Sequence, residues 1–441
     1  MRVRRGWIGA LLALVLVAAA CSESGDDGDG AATTTGGGGD DAPAAQGTAS
    51  TVGITDDTIQ MAAIIPDTAP LVEAGLAPDF GDFTQNIGVF VDEFNEAGGV
   101  AGRQIEMGYH LFAAGSTATE QQAACLGATQ DDNAFVVMST GGTEDETVLC
   151  VTDDNERLML AMAGSFVESV YERSEGRFFT NGIEINRLMR NMVDMLDEEG
   201  ELEDRTLGIV RADFPSDEEA AGALNAALED QDFEIAEEVV LPCEGNQCEQ
   251  IDVGVQRLMS AGVDGVFSLL GVLPYPAFVG AAEAQGYDPQ WFSSDFENQV
   301  LETTANFFEG NEQPYDGALG VTTSLDDVEV DEPRQSCNDR FTAATGIEYD
   351  FDTDAWRAVG NACEMLTRIV NVIEQIDEDG EPLNQATFIE YMEQIEVVNG
   401  DRRGQFRPDK HDAYDVLDLK RFSADCICWE TIEGTRRVDE G

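Results

Sequence analysis

Lysine is nearly missing: the 441 residues contain two, Lys410 and Lys420. Histidine is as scarce, with only His110 and His411. Just 24 basic residues face 87 acids, a formal net charge of −63. A chain so negative does not hold nucleic acid or an anionic membrane surface by charge. His110 lies in a strand pattern and His411 beside a turn, poor places for a Ser–His–acid set. There is no Gly-x-Ser-x-Gly elbow and no Gly-x-x-x-x-Gly-Lys loop, so the usual hydrolase and nucleotide signatures are missing. Acid excess suits a salty milieu, where screening over a few ångströms tames self-repulsion.

Three of the 24 basic residues stand together at the front. Arg2, Arg4 and Arg5 precede an apolar run from Trp7 to Val17, then Ala18-Ala19-Ala20 and Cys21. Residues 1–20 read as a secretory signal, too short to span a bilayer comfortably. A cysteine directly after small residues resembles the bacterial lipobox, with Ala18 where Leu is usual. An ordinary signal with a stray cysteine is the alternative. On the lipobox reading Cys21 is lipidated, and more than one acyl chain anchors the protein. Residues 21–50, rich in Gly, Ala, Asp, Thr and Ser, read as a disordered tether of about 30 Å end to end. The expected location is the outer face of the cell membrane of a monoderm bacterium, with no other membrane contact.

Eight cysteines remain. An even count in an exported chain favours disulfides, although eight allow 105 pairings. The expected pairs are Cys125–Cys150, Cys243–Cys248 and Cys337–Cys363. Cys426 and Cys428 are left open, because a bridge across one residue is strained. Zinc is the competing reading of the close pairs, with only two histidines to assist. No metal and no cofactor is expected.

From Thr51 onward, strand-like and helix-like segments alternate. Ile59–Ile65, Ala134–Met138, Leu158–Met162, Leu207–Val210, Ala236–Leu241 and Gly265–Leu270 are apolar runs, and Ile105–Leu111 alternates. Thr117–Glu120, Thr143–Glu146 and Ser216–Glu219 have the spacing of capping motifs that open helices. The rhythm predicts parallel sheets covered by helices, and the length favours two doubly wound lobes over one sheet. Pockets in such sheets lie beyond the strand C-termini. That selects the loops 66–80, 139–143, 163–165, 213–215, 270–273 and 293–295.

Val91-Asp-Glu-Phe-Asn-Glu-Ala-Gly-Gly-Val-Ala-Gly-Arg-Gln-Ile105 resembles the signature of the leucine/isoleucine/valine-binding family, the extracytoplasmic solute receptors of ABC importers. Phe179-Thr180, the helical stretch 354–376 and Phe406-Arg-Pro-Asp-Lys-His411 extend the likeness over about 51–430. The resemblance implies an α/β protein with two Rossmann-like lobes on a three-strand hinge, the type 1 periplasmic-binding-protein fold. Lobe I would be 51–180 plus 320–396, and lobe II 181–319 plus 397–441. It also implies a monomer that closes on a solute and docks on an ABC permease.

Carried residue by residue, the likeness puts a carboxylate loop on Gly142 and Thr143 and a second ligand loop on Ala163 and Ser165. Glu184 and Asp295 match the acids that hold an amino-acid ammonium. Phe80, Phe214 and Val272 stand where tyrosines are common, which makes the pocket more apolar. Blander roles compete: Thr143 as a cap alone, Glu184 and Asp295 as solvated acids, the two phenylalanines as core. The implied ligand is an amino acid, branched-chain or a related amide. A sensor that passes the closed state to a signalling partner and a secreted hydrolase are the rival readings.

Overall fold

The computed structural model describes residues 51–438, apart from 74–76, 246, 301–304, 306–307, 309, 311, 324–331, 352 and 400–401. The expected signal, Cys21 and the tether lie outside the described residues.

Two parallel sheets follow from the apolar runs. In the first, β1 (Thr58–Asp67), β2 (Gln104–Ala113), β3 (Val136–Ser139), β4 (Leu158–Ala161) and β5 (Phe178–Thr180) line up as β2-β1-β3-β4-β5. β3 and β4 are buried throughout, as strands covered by helices on both faces must be. The second sheet repeats that order with β6 (Leu207–Ala212), β7 (Ile235–Leu241), β10 (Gly265–Leu269), β11 (Gln290–Ser294) and β12 (Leu319–Thr322) as β7-β6-β10-β11-β12. β15 (Val416–Ser423) and β16 (Cys428–Arg437) add antiparallel strands beyond β12. Between these elements, β8 (Cys243–Glu244) pairs β9 (Gln247–Cys248), and β13 (Glu396–Asn399) pairs β14 (Arg402–Gln405). Each lobe thus has a strand-order reversal, between β1 and β3 and between β6 and β10, where crevices form.

The helix Asp354–Glu378 packs its apolar face with Ile59, Phe90 and Phe341 in the first lobe's core. β12 runs through Thr322, so the return to the first lobe comes after it rather than at 320. Val397 and Phe406 pack in the first lobe's core too.

The Asn95–Arg103 turn shows why its residues take that pattern. Asn95 donates Nδ2 to the Ile105 carbonyl (2.9 Å) and accepts from the Ile105 amide (2.7 Å), tying the helix Phe83–Glu96 to β2. At Gly99 (φ +84) an added Cβ would sit 2.1 Å from the Arg103 carbonyl oxygen, so only glycine fits.

Of the three capping motifs, Thr117–Glu120 forms as a reciprocal box. The other two do not. The cap at 143–146 falls on Glu144, and the α-helix Asp145–Leu149 runs on as a π-helical turn, Cys150–Asp154. The third helix starts at Pro215 with Phe214 at its cap, because proline's fixed φ suits the first turn. All four disulfides are present, including Cys426–Cys428.

Two segments that join the lobes run side by side. The Thr180 amide donates to the His411 carbonyl (3.0 Å), and Ala413 and Tyr414 donate back to Thr180 and Gly182. A buried quartet of charges locks them. Arg187 pairs with Asp412 and with Asp415 (2.8 Å), while Lys410 reaches Asp412 (3.3 Å) and Asp415 (3.1 Å). Burial pulls the Lys410 ammonium below its usual range, and the two aspartates oppose that pull. Both lysines of the chain are buried, Lys410 here and Lys420 in β15.

Removing one member leaves buried charge uncompensated, so Arg187→Met should lower the unfolding free energy in urea by about 3–5 kcal/mol. Cys125→Ser/Cys150→Ser opens a loop with a sequence separation of 25 and should cost about 3 kcal/mol in the same titration.

Candidate functional site

The predicted residues fall on loops beyond the strand C-termini of both sheets. Gly142 (φ +66) and Thr143 follow β3; the Gly142 carbonyl accepts from Gln121 Nε2 (3.1 Å). The Thr143 hydroxyl pairs with Ser139 (3.1 Å) instead of capping a helix. After β4, Ala163 is exposed and Ser165 half-buried. Phe80 stacks on Phe83 (5.8 Å) against the first lobe's core. Phe214 is exposed beyond β6, and Val272 is half-buried beyond β10.

The two acids expected to hold an ammonium are engaged within the protein. Glu184 caps the helix Ile185–Glu198, its oxygens accepting from the Asn186 (2.7 Å) and Arg187 (3.0 Å) amides. Asp295 accepts from the Thr322 hydroxyl and from the Thr323 amide and hydroxyl, each at 2.6 Å. One acid fixes the start of a helix beside the hinge; the other fixes the chain as it leaves β12.

Other residues build the site. Gln121, wholly buried, also donates to the Ser116 carbonyl and accepts from the Glu144 amide and the Thr147 hydroxyl. It sets the path of the loop after β3. Glu219, on the helix Pro215–Asp230, receives the Ser169 amide (2.9 Å) and hydroxyl (2.7 Å). That contact ties the two lobes together, because Ser169 belongs to the first lobe's helix Glu168–Ser174. The sequence marked Glu219 only as the end of a capping motif, and Gln121 only as part of the helix that opens at Thr117.

Acids from both lobes meet in this cleft. Asp145 is pushed up to about 8, first by burial and then by Glu146, Glu144, Glu219 and Asp217. Glu297, although its side chain is exposed to solvent, is also pushed up to about 8, first by the protein packed around its carboxyl and then by the charges of Asp217, Glu144 and Asp145. Asp217 rises to about 7 despite a hydrogen bond from the Ala212 amide (3.3 Å), again chiefly through burial. Glu297 and Asn298 both hold left-handed backbone (φ +57 and +58), a costly conformation for residues with a Cβ. Among the described residues no group of three or more His, Cys, Asp or Glu is placed to hold a metal ion.

A shallow groove of about 570 Å³ lies elsewhere, between β7 and the helix Ile251–Ala261. Its cation, Arg257, is held by Glu237 at 2.5 Å. It is broad and open and far from the strand ends, so the cleft is the better site. No described helix is long and apolar enough to cross a membrane.

Two like-ordered sheets with a cleft at their strand C-termini define a two-lobed binding protein. The family model for periplasmic binding protein matches residues 58–419, and the chain belongs to that family. A comparison with curated proteins finds no match. An ABC-transporter solute-binding protein of R. palustris, in complex with 4-hydroxybenzoate, is similar with a TM-score of 0.64. It is 15% identical, and the match covers 87% of this chain and 98% of that one. A fatty acid ABC transporter substrate-binding protein from Thermomonospora curvata gives 0.63 at 16%, covering 88% and 94%. A leucine-, isoleucine-, valine-, threonine- and alanine-binding protein from Brucella ovis, in its closed conformation, gives 0.62 at 15%, covering 86% and 96%. Identities this low speak for a shared fold.

An acid that keeps its proton when folded and loses it when unfolded makes stability fall as pH rises. For Asp145 that window runs from about 4, its unfolded value, to about 8. Asp145→Asn should therefore raise the melting temperature at pH 8 and leave it little changed near pH 4. A scanning-calorimetry pH series checks this.

Proposed function

We propose that this protein is the extracytoplasmic receptor of an ABC importer, capturing a small amine-bearing solute between its lobes and delivering it to a permease. The observation that carries the reading is the doubled β2-β1-β3-β4-β5 order, each sheet with a strand-order reversal where a crevice forms at the strand C-termini. The solute class is an amino acid or a related amide, bound without turnover. Gly142, Thr143, Ala163 and Ser165 would line the first lobe's side, and Phe80, Phe214 and Val272 the apolar remainder. The division is 51–180 with 320–396 against 181–319 with 397–441, shifted after Thr322 where β12 ends and past Phe406, which packs in the first lobe's core.

Closure requires that the solute bind the closed state better than the open one. Cys21 carries the lipid, and the 21–50 tether keeps a monomer within reach of its permease. In a thermal-shift panel of amino acids, amides and urea-like compounds, one class should raise the melting temperature by several degrees at millimolar concentration. No shift from any small solute would remove the receptor reading. Cys21→Ser should move the protein from the membrane fraction to the medium, read by fractionation and immunoblot.

A further inference from the structure

The four disulfides do not stand alike toward solvent. Cys125, Cys150, Cys337 and Cys363 are buried, and Cys243 and Cys248 are half-buried. Among the described residues Cys426 is the one exposed cysteine, and its partner Cys428 is half-buried. A disulfide exchanges when a thiolate reaches one of its sulfurs, so access selects which bond reacts.

A second observation concerns the backbone under the bridge. Cys426 and Cys428 close over a single residue, Ile427, which holds left-handed backbone at φ +54. Of the ten non-glycine residues with positive φ, it alone is β-branched, the side-chain type that this conformation penalises most. Its side chain packs against the second lobe's core, so packing and bridge together hold it there. Opening the bridge removes one of those two restraints and lets the backbone relax. Exposure and local strain both mark a disulfide as labile.

The fold confines the consequences. β15 runs antiparallel to β12, with Leu319 beside Arg421, so the β15–β16 tip lies at the end of the sheet away from the strand C-termini. Ser423 pairs with Cys428 at the base of the tip, and the ladder continues from there to Val416 and Arg437. Phe422 and Trp429 pack beneath it, ring centroids 5.6 Å apart, in the second lobe's core. Asp316 Oδ1 accepts from the Ala424 amide (2.9 Å) and fixes the start of the loop. Cleavage of the bridge therefore frees two thiols without dismantling the lobe.

We propose that Cys426–Cys428 is a thiol–disulfide exchange site, a reversible two-electron modification site at the end of the second lobe away from the cleft. Its co-reactant is a thiol, either a small molecule or a protein dithiol. The thiolate attacks the exposed Cys426 sulfur, forms a mixed disulfide with it and expels the Cys428 thiolate. A second thiolate then attacks the co-reactant's sulfur in that mixed disulfide and expels the Cys426 thiolate. The co-reactant leaves as its disulfide, two electrons pass to the protein, and both cysteine thiolates take up protons from solvent. The proposal does not depend on which solute the cleft holds.

Differential alkylation with peptide mass spectrometry on the full chain tests this. Across a series of reduced-to-oxidised dithiothreitol ratios, Cys426–Cys428 should be half reduced at a ratio about tenfold or more below that of any other pair. A short exposure to 2-mercaptoethanol should leave its adduct on Cys426. At equal thiolate concentration, faster reduction by thioredoxin than by 2-mercaptoethanol assigns a protein dithiol, and the reverse assigns a small thiol. Cys426→Ser/Cys428→Ser should keep the melting temperature within a few degrees and leave the other three midpoints unchanged. Earlier reduction of Cys243–Cys248 or of a buried pair would overturn the proposal. So would an adduct on Cys428, or free thiols at both positions in protein prepared without reductant. Loss of folding in the double variant would make the bridge a structural one and overturn it as well.

Discussion

The hinge rests on four buried charges. Arg187 and Lys410 neutralise Asp412 and Asp415 where two connecting segments lie together. Charges so enclosed survive only in mutual contact, because each alone would carry a desolvation penalty of several kcal/mol. Asp412 also receives the Glu184 amide (2.8 Å), while Glu184 caps the helix that carries Arg187. One network therefore sets the start of a second-lobe helix, the path of the crossing and the position of β15. Any closure of the lobes must turn about segments held at this point.

Negative charge plays opposite parts in the molecule. On the surface the acids are solvated, and no lysine lies among them, since both lysines are internal. Beyond the strand ends, burial first and neighbouring acids second raise the proton affinity of Asp145, Asp217 and Glu297, with Glu144 acting on all three. The Ser169–Glu219 contact bears on this balance by bringing the lobes together beside Asp217.

Much of the fold was legible in the residues. The apolar runs at Ile59, Ala134, Leu158 and Gly265 became buried parallel strands because period and length alone separate covered strands from surface helices. The Asn95–Gly99 turn was readable as a motif, and its two-way hydrogen bond to Ile105 explains the asparagine. The helix starts near Thr143 and Ser216 were misplaced: the Thr143 hydroxyl found Ser139, and Pro215 fixed the start of its helix. Glu184 and Asp295 were legible as acids on the right loops, but not as acids already engaged by backbone amides and threonine hydroxyls.

The sequence by itself determined the alternation of strands and helices, the pairing-competent cysteines and the acid excess, because each depends on residue type and local spacing. Tertiary structure alone decided which carboxylates are free. Whether an acid meets an amide, a guanidinium, water or another acid depends on groups far away in the chain, as Asp145 meeting Asp217 shows. The same holds for the two lysines, which composition suggests as surface residues and folding places inside.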